Sequence, residues 1–95
     1  MVEDRLVVFG GLDVEARREF VHVASSVIDH LVATSAGPVT LDCAHVDLVD
    51  DVTVGMLVMV ARNAQRRGMR VVLQMPSAQL RHRLDDDGVS YLFAW

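Results

Sequence analysis

Two adjacent carboxylates, Asp50 and Asp51, are the residues of this 95-residue chain whose type and spacing could do chemistry. A carboxylate pair can share a proton or bind a divalent cation, and an acidic side chain at a helix start can accept hydrogen bonds from the unpaired N–H groups there. The positive end of the helix dipole would also favour a phosphate at this place. The residue type at position 51 therefore decides whether a phosphate could be attached there. An aspartate carries a negative charge but offers no hydroxyl to modify.

The residues around this pair predict a strand before it and a helix after it. The apolar segment from 39 to 43 predicts a buried strand, and the pattern from 52 to 67 predicts a helix that ends at Gly68. Asp51 is the expected N-cap of this helix, where its carboxylate would accept a hydrogen bond from a backbone N–H two or three residues later. Both acidic residues would then stand at the turn into the helix.

The predicted helix carries more apolar area than one buried face needs. Apolar side chains beyond the core face would form an adaptable protein-binding surface or pack under a neighbouring helix. Gly55 costs a helix roughly 1 kcal/mol relative to alanine, which predicts a close backbone approach from the sheet or from a partner. The expected core residues are Val54, Leu57, Val58, Ala61 and Ala64, and those expected elsewhere on the surface are Met56, Met59, Val60 and Asn63.

The segments on either side predict further strands and helices in alternation. A short apolar run from 6 to 9 is followed by a turn at Gly11 and by Asp13, an expected helix cap. Apolar residues then recur at spacings of three and four, which predicts a long amphipathic helix. A strand from 70 to 75 precedes a short helix that Ser77 caps. This alternation predicts a largely parallel sheet with right-handed crossovers.

Four segments of the chain resemble, in order and at family spacing, motifs of the STAS domain, the fold of bacterial anti-sigma factor antagonists. The segment around Asp50 resembles the family's Phe-Ile-Asp-Ser-Ser-Gly-Leu-Gly-x-Leu, a loop that runs into a helix. The segment from Phe9 to Asp13 resembles the family's Gly-Glu-Leu-Asp turn, with Gly11 in place of the glutamate. The four matching segments are Phe9 to Asp13, the stretch that contains Leu41-Asp42 and Leu48-Val49-Asp50 with Gly55 and Leu57, Arg67 to Leu73, and Leu84 to Gly88.

The resemblance implies an α/β fold and a non-enzymatic regulator that needs no cofactor. We expect a single STAS-like domain over residues 1–95, with a mixed, largely parallel sheet of about four strands covered by helices. The expected order is β-β-α-β-α-β-α, with a shortened N-terminal strand and without the family's final helix. The implied partner is an anti-sigma factor of the serine kinase type, bound through residues 48–60. The expected partner contacts are Leu48, Asp50, Asp51, Val52, Thr53, Gly55, Met56 and Met59.

The chain departs from the family where the family places the serine that a partner kinase phosphorylates. Asp51 stands there, followed by Val52 in place of a second serine, so the resemblance implies that ordinary phosphoswitching is absent. A fixed charge could mimic the phosphorylated, released state, or the partner surface could accept it and leave a constitutive antagonist. Thr53 is a poor substitute acceptor, because it points about 200° around the helix from Asp51.

The alternative function is a STAS-like subunit of a lipid or solute ABC transporter that docks on the ATPase through the same helix. That role tolerates the missing serine. A phosphate-accepting receiver domain fails, because the chain has no lysine. An enzymatic function is not indicated, because the sequence shows no nucleophile paired with a base and the four histidines are scattered over separate elements. A metal site is not indicated either, because His22 and His30 have no third ligand.

The composition and the net charge of the chain disfavour several further functions and locations. Thirteen acidic and nine basic residues give a net charge of −4, which disfavours direct binding to nucleic acid. The single cysteine, Cys43, is expected to be a buried, unreactive thiol. The sequence contains neither a leader pattern nor an apolar run of roughly 20 residues, so we expect a cytoplasmic protein without membrane insertion. The short first strand leaves an exposed sheet edge that a partner protein could cover. The sequence is also compatible with a homodimer.

Overall fold

One parallel sheet supports the candidate site. The computed structural model describes residues 5–34 and 38–95, with strands β1 (Arg5–Phe9), β2 (Val39–His45), β3 (Val71–Gln74) and β4 (Phe93–Ala94). The strands lie side by side in chain order, and all three neighbouring pairs are parallel. The predicted α/β fold with a largely parallel sheet of about four strands is confirmed.

Three helices connect the strands. They are α1 (Val14–Thr34), α2 (Asp51–Arg66) and α3 (Ala78–Asp86), and a short 3-10 helix over Ser90–Leu92 precedes β4. The described order is therefore β-α-β-α-β-α-β, so one more strand, β4, follows the helix with which the expected order ended. Residues 1–4, to which most of the shortened N-terminal strand was assigned, lie outside the described residues.

The helices cover one face of the sheet. Right-handed crossovers between strands that advance in one direction place successive helices on the same side. Burial along β2 and β3 agrees: five residues that face the helices are buried, whereas on the opposite face Ala44 and Gln74 are exposed and only Asp42, which pairs with Arg5, is buried. The helix-facing residues are Val39, Leu41, Cys43, Val71 and Leu73.

The entry into α1 has the chemistry that the sequence predicts. Gly11 has a φ of 69°, which a side chain would strain, and the Asp13 carboxylate accepts a hydrogen bond of 2.8 Å from the Ala16 N–H. The turn at Gly11 and the cap at Asp13 are therefore confirmed. Together they fix where α1 leaves the edge of the sheet.

The central helix α2 is buried over a wider arc than the sequence predicts. Four of the five expected core residues are buried and Val58 is half-buried, but Met56 and Val60, expected on the surface, are also buried. The reason is that α2 packs against α1 as well as against the sheet, so two surfaces cover it. Met59 is 58 % exposed and lies on the side that remains open.

Polar contacts hold α1 and α2 together at the end of the pair that is distant from Asp51. The Asn63 side-chain amide donates a hydrogen bond of 2.9 Å to the Ser25 hydroxyl, and Arg67 forms an ion pair with Asp29. Gly68, with a φ of 73°, ends α2 where the sequence predicts. These contacts fix α1 beside α2 at that end of the pair.

Candidate functional site

The loop before α2 lies against the end of β1. A Cβ on Gly10 would lie 2.9 Å from the Leu48 carbonyl oxygen, closer than side-chain carbons approach backbone atoms. Only glycine therefore allows this close contact, which holds the loop against the end of β1. The Val46 N–H donates to the Cys43 carbonyl oxygen at 3.1 Å and turns the chain out of β2. Leu48 is 54 % exposed and is available to a partner.

Asp50, and not Asp51, caps α2. The backbone at Asp50 is extended, with φ −113° and ψ 173°, and its carboxylate accepts a hydrogen bond of 2.8 Å from the Thr53 N–H. Hydrogen bonds from the backbone and the side chain of Thr53 hold the pKa of Asp50 below its ordinary value. The predicted N-cap at Asp51 is wrong by one residue, because the chain enters the helix only after Asp50.

Asp51 is the first residue of α2 and points outward. Its side chain is 92 % exposed and forms an ion pair with Arg83 of α3, which also donates a hydrogen bond of 3.0 Å to Asp87. The negative charge of Asp51 is thus partly balanced from the α3 side. The serine-equivalent position is open to solvent, as a kinase substrate position must be, but it presents a carboxylate.

Thr53 is buried beneath the cap. It is 3 % exposed, so its hydroxyl is not accessible to a kinase in the folded state. This burial agrees with the expectation that Thr53 is a poor substitute phosphoacceptor. It also leaves Thr53 little exposed surface, so the contact that the structure shows for Thr53 is the hydrogen bond from its N–H to Asp50.

A groove of about 780 Å³ opens beside Asp51 between α1 and α2. We call it the α1–α2 groove. Met56 is buried in its floor, and Val14 and Met59 on its walls are each 58 % exposed. The lining residues are Val14, Arg17, Arg18, Val21, His22 and Ser25 from α1, and Asp51, Val52, Gly55, Met56 and Met59 from α2.

Gly55 keeps this groove wide. A Cβ at Gly55 would meet no heavy atom of the other described segments within 4 Å. The sheet does not approach Gly55, so that part of the prediction is wrong, whereas an approach by a partner stays a prediction. A larger residue would project into the α1–α2 groove rather than into the core.

The α1 wall of the groove was not predicted. The sequence predicts partner binding through residues 48–60, that is, through the loop and α2 alone. The available signal was a stripe on α1 at spacings of three and four, which sequence alone does not place against α2. The stripe consists of Val14, Arg18, Val21, His22 and Ser25.

The predicted partner residues divide into exposed and supporting members. The site brings Leu48, Asp51, Val52, Gly55 and Met59 to the surface. The other three, Asp50, Thr53 and Met56, form the helix cap and the groove floor. Direct contact with a partner stays a prediction for all eight.

A family model described as "Mlab, STAS domain" matches residues 2–94. This chain belongs to the STAS domain family. No curated protein and no solved structure matches the chain. The resemblance inferred from the sequence motifs is confirmed by the family match and by the parallel sheet with three helices.

STAS membership supports a regulatory role of the anti-sigma antagonist kind. The STAS family is generally non-enzymatic. In this STAS domain, Asp51 and the α1–α2 groove beside it lie at the helix start that the sequence resemblance assigns to partner binding.

The remaining chemistry-bearing residues of the STAS domain have structural contacts. Asp42 accepts hydrogen bonds from the Ala44 N–H at 3.0 Å and from Arg5 at 2.6 Å, which together hold its pKa below the ordinary value. Burial raises the pKa of the Cys43 thiol to about 12, so it is protonated and unreactive at neutral pH.

Neither a metal site nor a membrane span is found in the described part of this STAS domain. Within residues 5–34 and 38–95, no three His, Cys, Asp or Glu side chains are arranged to hold a metal ion. His22 and His30 are both exposed. No helix in the same residues has the length and hydropathy needed to cross a membrane.

Proposed function

We propose that this STAS domain is an anti-sigma factor antagonist that binds a serine-kinase-type anti-sigma factor through the loop at 48–50, the start of α2 and the α1–α2 groove. Asp51 replaces the phosphorylatable serine, so the kinase cannot end the interaction by modifying the loop. Binding rather than catalysis is the task, and no cofactor is required.

The observation that carries the proposal is the combination of apolar exposure and fixed charge at one place. Leu48, Val52 and Met59 are exposed around Asp51, and Val14 is exposed across the groove from them. Other large apolar side chains, such as Met75 and Tyr91, are exposed elsewhere, but they do not line this groove. Exposed apolar residues grouped beside a groove are typical of a protein-binding surface. The family match supports a regulatory role, and the kind of partner is our inference from the sequence resemblance.

The fixed charge at Asp51 leaves two regulatory states open. A phosphoserine carries about −1.5 to −2 charges, whereas aspartate carries one. Arg83 balances part of that single charge from the side of α3. We therefore favour the constitutive antagonist over the permanently released state, because a balanced charge repels a partner less than a phosphate would.

Capture from a lysate of the native cells tests this proposal. The natural chain, Asp51→Ser and Asp86→Ser are immobilised, and bound proteins are identified by mass spectrometry. Asp86 is exposed on α3, so the control makes the same chemical change outside the groove. A serine kinase of the anti-sigma type bound by the natural chain supports a constitutive antagonist, and capture only by Asp51→Ser means that Asp51 holds the released state. Absence of such a kinase from all three samples removes the proposal.

Phosphorylation of the captured complex tests the missing switch. After incubation with the captured kinase and ATP, intact mass should show one added phosphate on Asp51→Ser and none on the natural chain. A phosphate on Thr53 of the natural chain would overturn the proposal that switching is absent. We do not expect this modification, because the Thr53 hydroxyl is buried in the folded domain.

The second candidate is a subunit of a lipid or solute ABC transporter. It is favoured by the lack of an exposed hydroxyl at position 51 and by its replacement with a carboxylate that forms an ion pair with Arg83. The same capture distinguishes it, because it predicts an ABC nucleotide-binding subunit in place of a serine kinase. It also predicts equal capture by the natural chain and Asp51→Ser.

A further inference from the structure

We propose that the occupant of the α1–α2 groove is an amphipathic helix of the partner protein, with acidic side chains along the edge that faces α1. This inference rests on the proposed function and deepens it, since it specifies the partner segment and its orientation. It depends on the shape of the groove and on the distribution of charge along its two walls.

The dimensions of the groove suit a short helix. The α1 wall runs from Val14 to Ser25, which is roughly 17 Å at 1.5 Å per residue, and the α2 wall from Asp51 to Met59 is about 12 Å long. Two to three turns of a third helix would fill this length. Gly55 lies in the middle of the α2 wall and lets a third backbone approach closely.

The apolar residues of the groove lie where such a helix would place its apolar face. Met56 forms the floor, and Val14, Val52 and Met59 stand exposed on the two walls. A helix presents apolar side chains at spacings of three and four to a groove of this kind. The thioethers of the two methionines adapt to side chains of different shape.

The charges on the two walls differ, which fixes the orientation of the occupant. Arg17 and Arg18 stand on the α1 wall, and neither forms a salt bridge with another residue in the described part of the chain. On the α2 wall, Asp51 is already paired with Arg83. The unpaired positive charge of the groove therefore lies along α1, although the chain as a whole carries −4.

Acidic residues lie near this wall, but in the described part of the chain none of them forms a salt bridge with Arg17 or Arg18. Glu15 and Glu19 are further around α1, where they line a separate depression with Arg18 and His22. Arg17 lies close enough to the Asp50 carboxylate to contribute to its low pKa. A carboxylate on the docked helix can still reach the rim at Arg18 from the open side of the groove.

Two synthetic peptides of about 14 residues test the charge preference. Both carry leucines at positions i, i+3, i+4 and i+7, and the flanking positions are glutamate in one and lysine in the other. We expect the natural chain to bind the glutamate peptide roughly three- to tenfold more tightly by isothermal titration calorimetry. The net charge of −4 would favour the lysine peptide, so the expected preference must come from the groove itself.

Four variants locate the binding in the α1–α2 groove. Gly55→Leu fills the groove and should weaken binding of the glutamate peptide more than roughly tenfold, whereas Gln65→Leu, on the exposed side of α2, should not. Arg18→Glu should remove the preference for glutamate. Arg66→Glu makes the same change of net charge outside the groove lining and should retain it.

The outcomes separate this inference from the proposed function. Equal binding of the two peptides, tighter binding of the lysine peptide, or unchanged binding by Gly55→Leu would each overturn the inference. If circular dichroism shows that Gly55→Leu is unfolded, Met59→Glu replaces it, because Met59 is an exposed groove residue. The proposed function is judged separately by whether a serine kinase is captured, and that result does not depend on the peptide preference.

Discussion

At the N-terminus of α2, the side chain of Asp50 points along the helix to the Thr53 N–H, whereas that of Asp51 points outward to Arg83. The difference comes from the backbone, which is extended at Asp50 and helical from Asp51 onward. One carboxylate therefore stabilises the helix, and its neighbour pairs with Arg83 and contributes charge to the exposed surface beside the α1–α2 groove.

This division of roles predicts different effects on stability. Asp50→Ala removes the hydrogen bond to the Thr53 N–H, so we expect it to lower the urea midpoint clearly, while Asp50→Ser should retain most of the stability because serine also caps. Asp51→Ala removes an exposed ion pair and should change the midpoint little. Equal losses at the two positions in urea unfolding followed by circular dichroism would contradict this assignment.

The pairing of Asp42 predicts a pH dependence. The Ala44 N–H and then Arg5 hold the pKa of Asp42 below its ordinary value of 3.8 in the folded state. Ionised Asp42 therefore stabilises the fold above pH 3.8, and this contribution is lost as the pH falls through the folded-state pKa. Asp42→Asn should be less stable than the natural chain at neutral pH, and the difference should shrink in acid.

Urea midpoints measured between about pH 7 and about pH 2.5 test this pH dependence. Asp86→Asn is the control, because it removes the same charge from an exposed position. A constant difference between Asp42→Asn and the natural chain over the whole range would show that the ionised carboxylate is not what stabilises the fold.

At the scale of elements, the three helices and the strands β1 to β3 could be predicted, because periodicity and turn chemistry are local properties of the chain, whereas the two-residue strand β4 is too short for such a pattern. The helix ending at Gly68 and the caps at Asp13 and Ser77 follow from single residue types. The cap at Asp50 could not be separated from Asp51, since adjacent aspartates have equal propensity and only the backbone angles distinguish them.

Two glycines at the site predict opposite responses to alanine. At Gly55 a Cβ meets no other segment, so Gly55→Ala should raise the free energy of unfolding by roughly 0.5–1 kcal/mol through better helix propensity. At Gly10 a Cβ would lie 2.9 Å from a backbone oxygen of Leu48, so Gly10→Ala should lower it. Chemical denaturation measures both, and a destabilising Gly55→Ala would reveal a close contact at α2.

At the scale of the whole molecule, the groove arises from the way in which the helices are layered. Consecutive parallel strands place α1 and α2 side by side on one face of the sheet, so each wall of the groove comes from a different part of the sequence. The burial of Met56 and the arginine wall at Arg17 and Arg18 depend on this packing. Neither could be predicted from the periodicity of one helix, which shows that a face is apolar but not what covers it.

Because of the same layering, the residues of α2 that stabilise the fold differ from those that line the groove. Leu57 is fully buried between the helices and the sheet, and Met59, two residues later, is 58 % exposed in the groove. Leu57→Ala should cost about 2–5 kcal/mol, a large part of the roughly 5–15 kcal/mol that stabilises a domain of this size. Met59→Ala should leave the free energy of unfolding within about 0.5 kcal/mol of the natural chain.

Binding should follow the opposite order, provided that the folded fraction is measured first. We expect Met59→Ala to weaken the glutamate peptide severalfold in isothermal titration calorimetry, because the thioether forms part of the groove wall. The fraction of Leu57→Ala that remains folded should bind with nearly natural affinity, since Leu57 does not line the groove. If Met59→Ala instead loses stability and keeps its affinity, Met59 belongs to the core, and the α2 wall of the groove would lose its most exposed apolar residue.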